Sequence, residues 1–206
     1  MILSLDHVAI GVPNLEEGIA WWLGETGVRP AIGGPHHGLG TRNAVASLGG
    51  SLYLELISVD PEQEATSPAR TWLEALDQPR PFGWCYACDD STQTHGDLAS
   101  AGVEAAHFPV SRTTPDGKEI VWRLVFPAHT LGPVIPYLID WGEAPSPGLD
   151  APVGCTLIDA RPRHPDPKPV QELLGRMKLE MVVEAGPRSG PVFRFASPRG
   201  ELVVEP

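Results

Sequence analysis

The chain has 206 residues, 42% of them hydrophobic and 20% charged, a composition typical of a folded globular protein and not of a disordered one. Its formal net charge of −11 disfavours nucleic acid and anionic membrane as partners, because both require a basic surface. No apolar run approaches the roughly 18 residues that a membrane span needs, and the chain does not open like a secretory signal. These features predict a cytoplasmic protein.

Residues 1–60 predict one strand, one helix and three further strands, a βαβββ unit. The first strand is a β-branched run that Pro13 ends. Asn14 caps the following helix, with Glu17 completing a capping box, and Gly27 stands where the helix stops. Three strands are predicted next, at 28–32, 43–48 and 51–59.

The rest of the chain repeats this plan with weaker signals. Residues 61–81 predict a connector with a short helix, residues 82–142 a second, degenerate βαβββ unit, and residues 154–206 a third βαβββ-like unit. Because an isolated unit buries one face of its sheet at most, we expect residues 154–206 to be integral to the fold. They would pack against another unit or complete a pair across a homodimer.

Cys85 and Cys88 have the Cys-x-x-Cys spacing of redox and zinc sites. They fall in a predicted strand, residues 82–88, where an offset of three puts the two side chains on opposite faces. We therefore expect ordinary buried thiols, which suits a reducing compartment.

The first unit contains the phrases Leu5-Asp-His-Val-Ala-Ile10, Gly40-Thr-Arg-Asn-Ala44 and Leu52-Tyr-Leu-Glu-Leu-Ile57. In these phrases the chain resembles the vicinal oxygen chelate superfamily, and more narrowly its glyoxalase-like branch. The resemblance implies an α+β fold in which repeated βαβββ units form a half-open barrel-like cleft, as in glyoxalase, bleomycin-resistance and dihydroxybiphenyl-dioxygenase proteins. It also implies a divalent metal, with ligands at the positions of His7 and Glu55. Imidazole plus carboxylate suits Fe, Mn, Zn or Ni.

The second unit departs from the metal-binding pattern. Matching it to the first unit places Trp84 where His7 stands and Tyr137 where Glu55 stands. Neither is a normal ligand for these metals, so a complete metal set is not visible. Without metal, His7 would be a hydrogen-bonded histidine of a partly polar barrel, and Glu55 a carboxylate paired with an arginine such as Arg42 or Arg123.

Other residues are candidates for catalysis and substrate binding. In the loop that contains His36 and His37, we expect His37 at the pocket mouth to act as a general base together with Glu55, the alternative being a solvated loop pair. Arg112 and Arg123 would hold an anionic substrate, the alternative being surface ion pairs. Trp84 and Tyr137 would line the same pocket and contact the substrate.

Two functions follow from these residues and the resemblance. In the first, the protein is a metal-dependent lyase, isomerase or dioxygenase that acts on a small oxygenated molecule, with the metal as a Lewis acid. In the second, it is a metal-free protein that binds and sequesters a small, largely apolar or aromatic compound, like the bleomycin-resistance proteins. Retention of His7 and Glu55 favours the first function, and the replacements Trp84 and Tyr137 favour the second.

Overall fold

Three groups of elements follow one another in the computed structural model, which describes residues 3–64, 67–114 and 116–206. Residues 65 and 66 of the predicted connector lie outside the described part. The first group comprises β1 (Leu3–Gly11), α1 (Leu15–Thr26), β2 (Ala31–His36), β3 (Thr41–Gly49) and β4 (Leu52–Val59). The connecting helix α2 (Pro68–Glu74) leads to β5 (Arg80–Cys88), α3 (Ser91–Ser100), β6 (Ala105–Thr113), β7 (Glu119–Pro127) and β8 (Tyr137–Asp140). After a 3-10 turn at Pro147–Leu149 come β9 (Thr156–His164), α4 (Pro167–Arg176), β10 (Glu184–Ala185), β11 (Gly190–Ser197) and β12 (Gly200–Val204).

Strands β1 to β8 form a closed barrel in the order β1-β4-β3-β2-β6-β7-β8-β5. In each half the first strand of a βαβββ unit lies beside the fourth, so the two units have the same pairing. The halves join along an antiparallel ladder of eight register pairs between β1 and β5. On the other side they join at a single register pair, His36 with Arg112, between β2 and β6. The predicted α+β barrel of βαβββ units is confirmed, and its strands close on both sides.

Helix α1 begins and ends as its sequence predicts. The Asn14 side chain accepts a hydrogen bond from the backbone N–H of Glu17 at 3.0 Å, and Gly27 adopts the left-handed conformation with φ 80°. Ile19 and Trp22 face the barrel and are buried in its outer core. Among the described residues, no helix is long and apolar enough to cross a membrane.

Strand β2 lies further along the chain than residues 28–32, where the sequence predicts it. It runs through two glycines and a proline, which ordinarily mark a turn. Gly34 has φ 124°, and a Cβ there would lie 2.1 Å from the backbone oxygen of Thr113 on β6. Glycine is therefore required for β2 to approach β6, and this brings His36 into the barrel wall.

Strands β9 to β12 form a separate four-stranded sheet with the order β10-β9-β11-β12. The elements of residues 154–206 thus follow the βαβββ sequence, but their strands pair differently from those of the two barrel units. The sheet contributes Phe193 and Phe195, both fully buried, to the same core as Trp22 and Trp84. It packs against the outside of the barrel within one chain.

All three cysteines are free and buried. Cys85 packs with Trp122 and Ile139, whereas Cys88 packs with Leu98 and Leu174 in a different cluster. The expectation that Cys85 and Cys88 lie on opposite faces of β5 is confirmed. Burial raises the pKa of both thiols.

Substituting Phe195→Ala tests whether the second sheet is part of the barrel's core. Phe195 is fully buried and meets the ring of Trp22 edge-on, with 5.0 Å between centroids. We expect its removal to lower the free energy of unfolding by about 3–5 kcal/mol, through lost burial and the cavity left behind. Urea denaturation measures this, with Val203→Ala on the exposed face of β12 as a control that should change stability little. A loss no larger than that of the control would contradict the shared core.

Candidate functional site

The barrel encloses a cavity of about 640 Å³, a volume typical of small-molecule sites. Most of its wall is apolar, and the large aromatic residues on it are Trp72, Phe82, Phe108, Trp122, Phe126 and Trp141. The polar residues on it are His7, His36, Thr41, Asn43, Tyr53, Glu55, Ser67, Arg112 and Tyr137. The cavity therefore combines an aromatic wall with a group of polar side chains.

A β-bulge in β1 buries two successive polar side chains. Leu5 pairs with Tyr86 and His7 with Cys85, so Asp6 is an extra residue on β1. Successive residues of a regular strand face opposite sides. Here Asp6 and His7 are both buried, and Asp6 Oδ1 lies 2.6 Å from His7 Nδ1. The bulge thus places a carboxylate beside the imidazole.

A chain of hydrogen bonds runs through His7. Trp141 Nε1 donates to Asp6 Oδ2 at 3.0 Å, and His7 Nε2 lies 2.7 Å from the hydroxyl oxygen of Tyr137. The imidazole ring stacks on Tyr53, with 4.7 Å between centroids and 28° between planes. His7 is therefore held at both ring nitrogens and on one ring face.

Glu55 on β4 lies between the two buried histidines. Its Oε2 is 3.9 Å from His7 Nε2, and its Oε1 is 3.6 Å from His36 Nε2. Asn43 Nδ2 donates to Glu55 Oε1 at 2.7 Å. Arg42, one of the arginines expected as a partner, pairs with a different carboxylate on helix α1. The structure thus brings His7 and Glu55 to one part of the cavity, as the sequence predicts, and adds His36.

Arg112 on β6 is 6% exposed and contributes a guanidinium to the cavity wall. Its Nη1 donates to the carbonyl oxygen of Gly33. A Cβ on Gly33 would lie 2.1 Å from Asn43 Oδ1 and 3.1 Å from Arg112 Nη1, so glycine leaves the space that both side chains occupy. Within the described part of the chain, no carboxylate forms an ion pair with this guanidinium. Burial lowers the pKa of Arg112.

Three of the predicted site residues lie away from the cavity wall. Trp84 is buried in the core on the outer side of β5, where its Nε1 donates to the carbonyl oxygen of Val134 at 3.0 Å. Arg123 is exposed on β7. His37 is exposed, and its Nε2 lies 2.7 Å from the hydroxyl of Thr113. The predicted residues on the wall are His7, Glu55, Arg112 and Tyr137.

The ladder between β1 and β5 has a bulge on each strand, at Asp6 and at Phe82. The residue that follows the bulge is His7 on β1 and Gly83 on β5, so Gly83, and not Trp84, occupies the position that corresponds to His7. The residues on either side of Trp84 face inward. A Cβ on Gly83 would lie 3.5 Å from the Tyr137 ring, and Cys85 packs with the cavity residue Ile139.

The sequence analysis does not predict several polar residues of the site, among them His36, Asn43 and Asp6. The glycines and proline of β2 are typical of a loop, so the sequence predicts a loop at His36 and His37. The structure has a strand there, and His36 points inward. Strand alternation could have identified Asn43. It lies two residues from Val45, the register partner of Glu55, and therefore on the same face of the sheet as Glu55. Alternation could not have identified Asp6, because a regular strand would turn it away from His7.

The residues present do not fit a divalent metal in their observed arrangement. In the described ranges, no group of three or more His, Cys, Asp or Glu side chains is placed to hold an ion. On β5 and β8, the strands that correspond to β1 and β4, the residues Gly83, Cys85, Tyr137 and Ile139 face inward, and burial keeps the Cys85 thiol protonated by raising its pKa. The Tyr137 hydroxyl also occupies His7 Nε2. His7 and Glu55 are the two residues at the family's ligand positions, and protein metal sites ordinarily use three or four ligands.

Burial controls the protonation of the polar groups on the wall. It is the main cause that raises the pKa of Tyr53 and Tyr137 well above the ordinary value, so both phenols keep their protons at neutral pH. It also lowers the pKa of His36, although the nearby carboxylate of Glu55 acts in the opposite direction. His36 is therefore a neutral imidazole in the folded protein at neutral pH.

Comparisons with known proteins agree with this architecture. A family model described as a glyoxalase-like domain matches residues 5–177. A hypothetical protein from Staphylococcus aureus has a similar structure, with a TM-score of 0.67 and 16% sequence identity over 99% of this chain and 86% of that one. A methylmalonyl-CoA epimerase in complex with methylmalonyl-CoA and NH4+ has a TM-score of 0.51 and 20% identity over 71% of this chain and 100% of that one. At these identities the likeness to solved structures concerns the fold. No curated protein matches the sequence.

The lowered pKa of His36 predicts a pH dependence of stability. In acid, the unfolded chain takes up a proton at this histidine below about pH 6.5, while the folded chain resists protonation, so the free energy of unfolding falls as the pH drops through that value. His36→Gln should remove this contribution and flatten that part of the curve. Urea denaturation at a series of pH values measures it, with Val203→Ala as a control that adds no titrating group. A slope unchanged by His36→Gln would contradict the prediction.

Proposed function

The chain belongs to the glyoxalase-like domain family, within the vicinal oxygen chelate superfamily, and we propose that it binds a small molecule with an apolar or aromatic body and an oxygenated end inside its barrel. The observation that carries this proposal is a cavity of about 640 Å³ whose aromatic wall surrounds one group of buried polar side chains. Ligand sites commonly combine apolar walls with a few polar groups that orient the ligand.

Glu55 is the residue we assign to the oxygenated end of the ligand. Its carboxylate is buried, is held by the Asn43 amide at 2.7 Å, and forms no ion pair with an arginine in the described part of the chain. A buried carboxylate with a free acceptor site binds a hydroxyl strongly and is able to take its proton. His37 is outside the cavity and takes no part in this proposal.

Arg112 and Tyr137 are the other two predicted residues that we keep as ligand contacts. Arg112 is buried and forms no direct salt bridge with a carboxylate of the described chain, although the charge of Glu55 acts on it, so its guanidinium suits a ligand oxygen that carries negative charge. Tyr137 presents its hydroxyl beside His7. In the epimerase neighbour, a protein of the same fold is in complex with an organic ligand, which supports a ligand-binding role for the fold.

We expect Glu55→Gln to weaken binding of a hydroxylated aromatic probe and to spare its apolar parent. A charged hydrogen bond is lost when the carboxylate becomes an amide, so the Kd of 2,3-dihydroxynaphthalene should rise roughly 10- to 100-fold. The Kd of naphthalene should stay as it is, because the aromatic wall is unchanged. Equilibrium dialysis measures both affinities, and His37→Gln is the control for a polar change outside the cavity. Failure of the unmodified protein to bind either compound would refute the proposal.

Divalent-metal binding by His7 and Glu55, in a lyase, isomerase or dioxygenase, is a second candidate function. The contact between Asp6 and His7 Nδ1 favours it, because metal-ligating histidines commonly bond a carboxylate through the nitrogen that faces away from the metal. Tyr137 would have to release His7 Nε2, and Glu55 would have to supply the next ligand. The candidate is weaker because no third ligand is in place.

Removing metal separates the two candidates. We expect protein purified without an affinity tag and dialysed against EDTA to bind 2,3-dihydroxynaphthalene as tightly as untreated protein, because Glu55 and the aromatic wall need no metal. The measurement is equilibrium dialysis, with elemental analysis of the untreated sample. A stoichiometric divalent ion that disappears in Glu55→Gln, together with loss of probe binding after EDTA, would favour the metal-dependent candidate.

A further inference from the structure

Four side chains form a hydrogen-bonded chain that ends at the cavity: Trp141, Asp6, His7 and Tyr137. We propose that this chain makes the Tyr137 hydroxyl a hydrogen-bond acceptor towards the cavity. The site would then select ligands whose polar end carries hydrogen-bond donors, such as phenols and alcohols, over ethers and ketones of the same shape. This inference rests on the proposed ligand-binding function and specifies the class of ligand.

Asp6 sets the direction in which the hydrogen bonds of this chain are donated. Trp141 Nε1 is a donor only, and it donates to Asp6 Oδ2 at 3.0 Å. A carboxylate accepts and does not donate, so the contact of 2.6 Å between Asp6 Oδ1 and His7 Nδ1 requires a proton on Nδ1. The position of the proton on His7 therefore follows from its partner.

The same reasoning then fixes the proton of Tyr137. A neutral imidazole with its proton on Nδ1 has a bare Nε2, which acts only as an acceptor. In the neutral form of His7, the Tyr137 hydroxyl, 2.7 Å away, therefore donates to it. The proton of this hydroxyl is thus directed at His7, and the lone pairs of its oxygen remain for a ligand.

Packing keeps these rings in place. Tyr137 stacks on Phe126, with 4.6 Å between centroids and 9° between planes, and His7 stacks on Tyr53. Stacking therefore fixes the position of the Tyr137 oxygen beside His7 Nε2, and the hydrogen bond to that nitrogen holds the hydroxyl proton. Its direction is a property of the folded site.

Glu55 provides a second acceptor at the same place. Its Oε2 lies 3.9 Å from His7 Nε2, the atom to which Tyr137 donates. A ligand oxygen that enters here meets two acceptors, so a hydroxyl is favoured, and an ether or carbonyl oxygen faces lone pairs. Arg112 on β6, a donor, faces the same cavity, and its charge interacts with that of Glu55.

Asp6→Asn should reverse the direction of hydrogen-bond donation between His7 and Tyr137. Because Trp141 only donates, it holds the amide oxygen of the new side chain and leaves the amide N–H₂ to face His7 Nδ1. The imidazole proton must then move to Nε2, which donates to the Tyr137 oxygen and frees the phenol proton to point into the cavity. One buried substitution would thus convert the acceptor into a donor.

The test compares 2,3-dihydroxynaphthalene with 2,3-dimethoxynaphthalene by equilibrium dialysis in mildly alkaline buffer. The unmodified protein should prefer the diol by about tenfold or more, the equivalent of one or more hydrogen bonds. Asp6→Asn should reduce that preference by about tenfold, and Tyr137→Phe, which keeps the ring and removes the acceptor, should also reduce it. Tyr86→Phe changes a tyrosine outside the cavity wall and should leave the preference as it is.

A spectroscopic readout needs no ligand and covers the case in which Asp6→Asn does not fold. Nitrogen-15 NMR of the histidine rings, with His7 identified by its loss in His7→Gln, should show the proton on Nδ1 in the unmodified protein and on Nε2 in Asp6→Asn. A proton on Nε2 in the unmodified protein would overturn the inference. So would a diol preference that Asp6→Asn and Tyr137→Phe leave intact, in which case ligand binding itself would still stand. If neither probe binds the unmodified protein, the proposed function falls, and this inference falls with it.

Discussion

The contact between Asp6 and His7 is the constraint on which the site depends. Two adjacent residues of one strand face the same region only because the bulge in β1 inserts Asp6 between the pairs Leu5–Tyr86 and His7–Cys85. The proposed proton position on His7 and the proposed direction of the Tyr137 hydroxyl both rest on that contact. A regular strand would keep His7 on the wall but leave its Nδ1 without this carboxylate, and the imidazole would be free to adopt either tautomer.

Much of the fold could be predicted because its signals are local. The N-cap at Asn14, the glycine after α1 and the alternating faces of β4 each depend on a few neighbouring residues, and the structure has all three. The family phrases around His7 and Glu55 predicted the barrel. The pairing of β9 to β12 could not be predicted in this way, since the same order of elements permits more than one strand order.

Alternation predicts the face of a site residue only where its strand is regular. Glu55 lies on an uninterrupted strand, and its face follows from alternation, whereas His7 is predicted from the family resemblance. His36 lies beyond a register shift between Ile32 and Gly34, and Trp84 follows a bulge at Phe82, so residue counting assigns each to the wrong environment. Asp6 could not be predicted at all, because its position beside His7 depends on a β-bulge that the sequence does not indicate.

The unequal closure of the barrel gives its two sides different mechanical roles. Eight register pairs hold β1 to β5, whereas β2 and β6 meet at His36 and Arg112, with one further backbone bond from His37 to Ser111. Separating β2 from β6 would therefore break fewer backbone hydrogen bonds than separating β1 from β5. His7 lies on the strongly paired side of the barrel, and Arg112 lies on the weakly paired side. A ligand held by both would thus contact one firmly closed wall and one wall that is easier to displace.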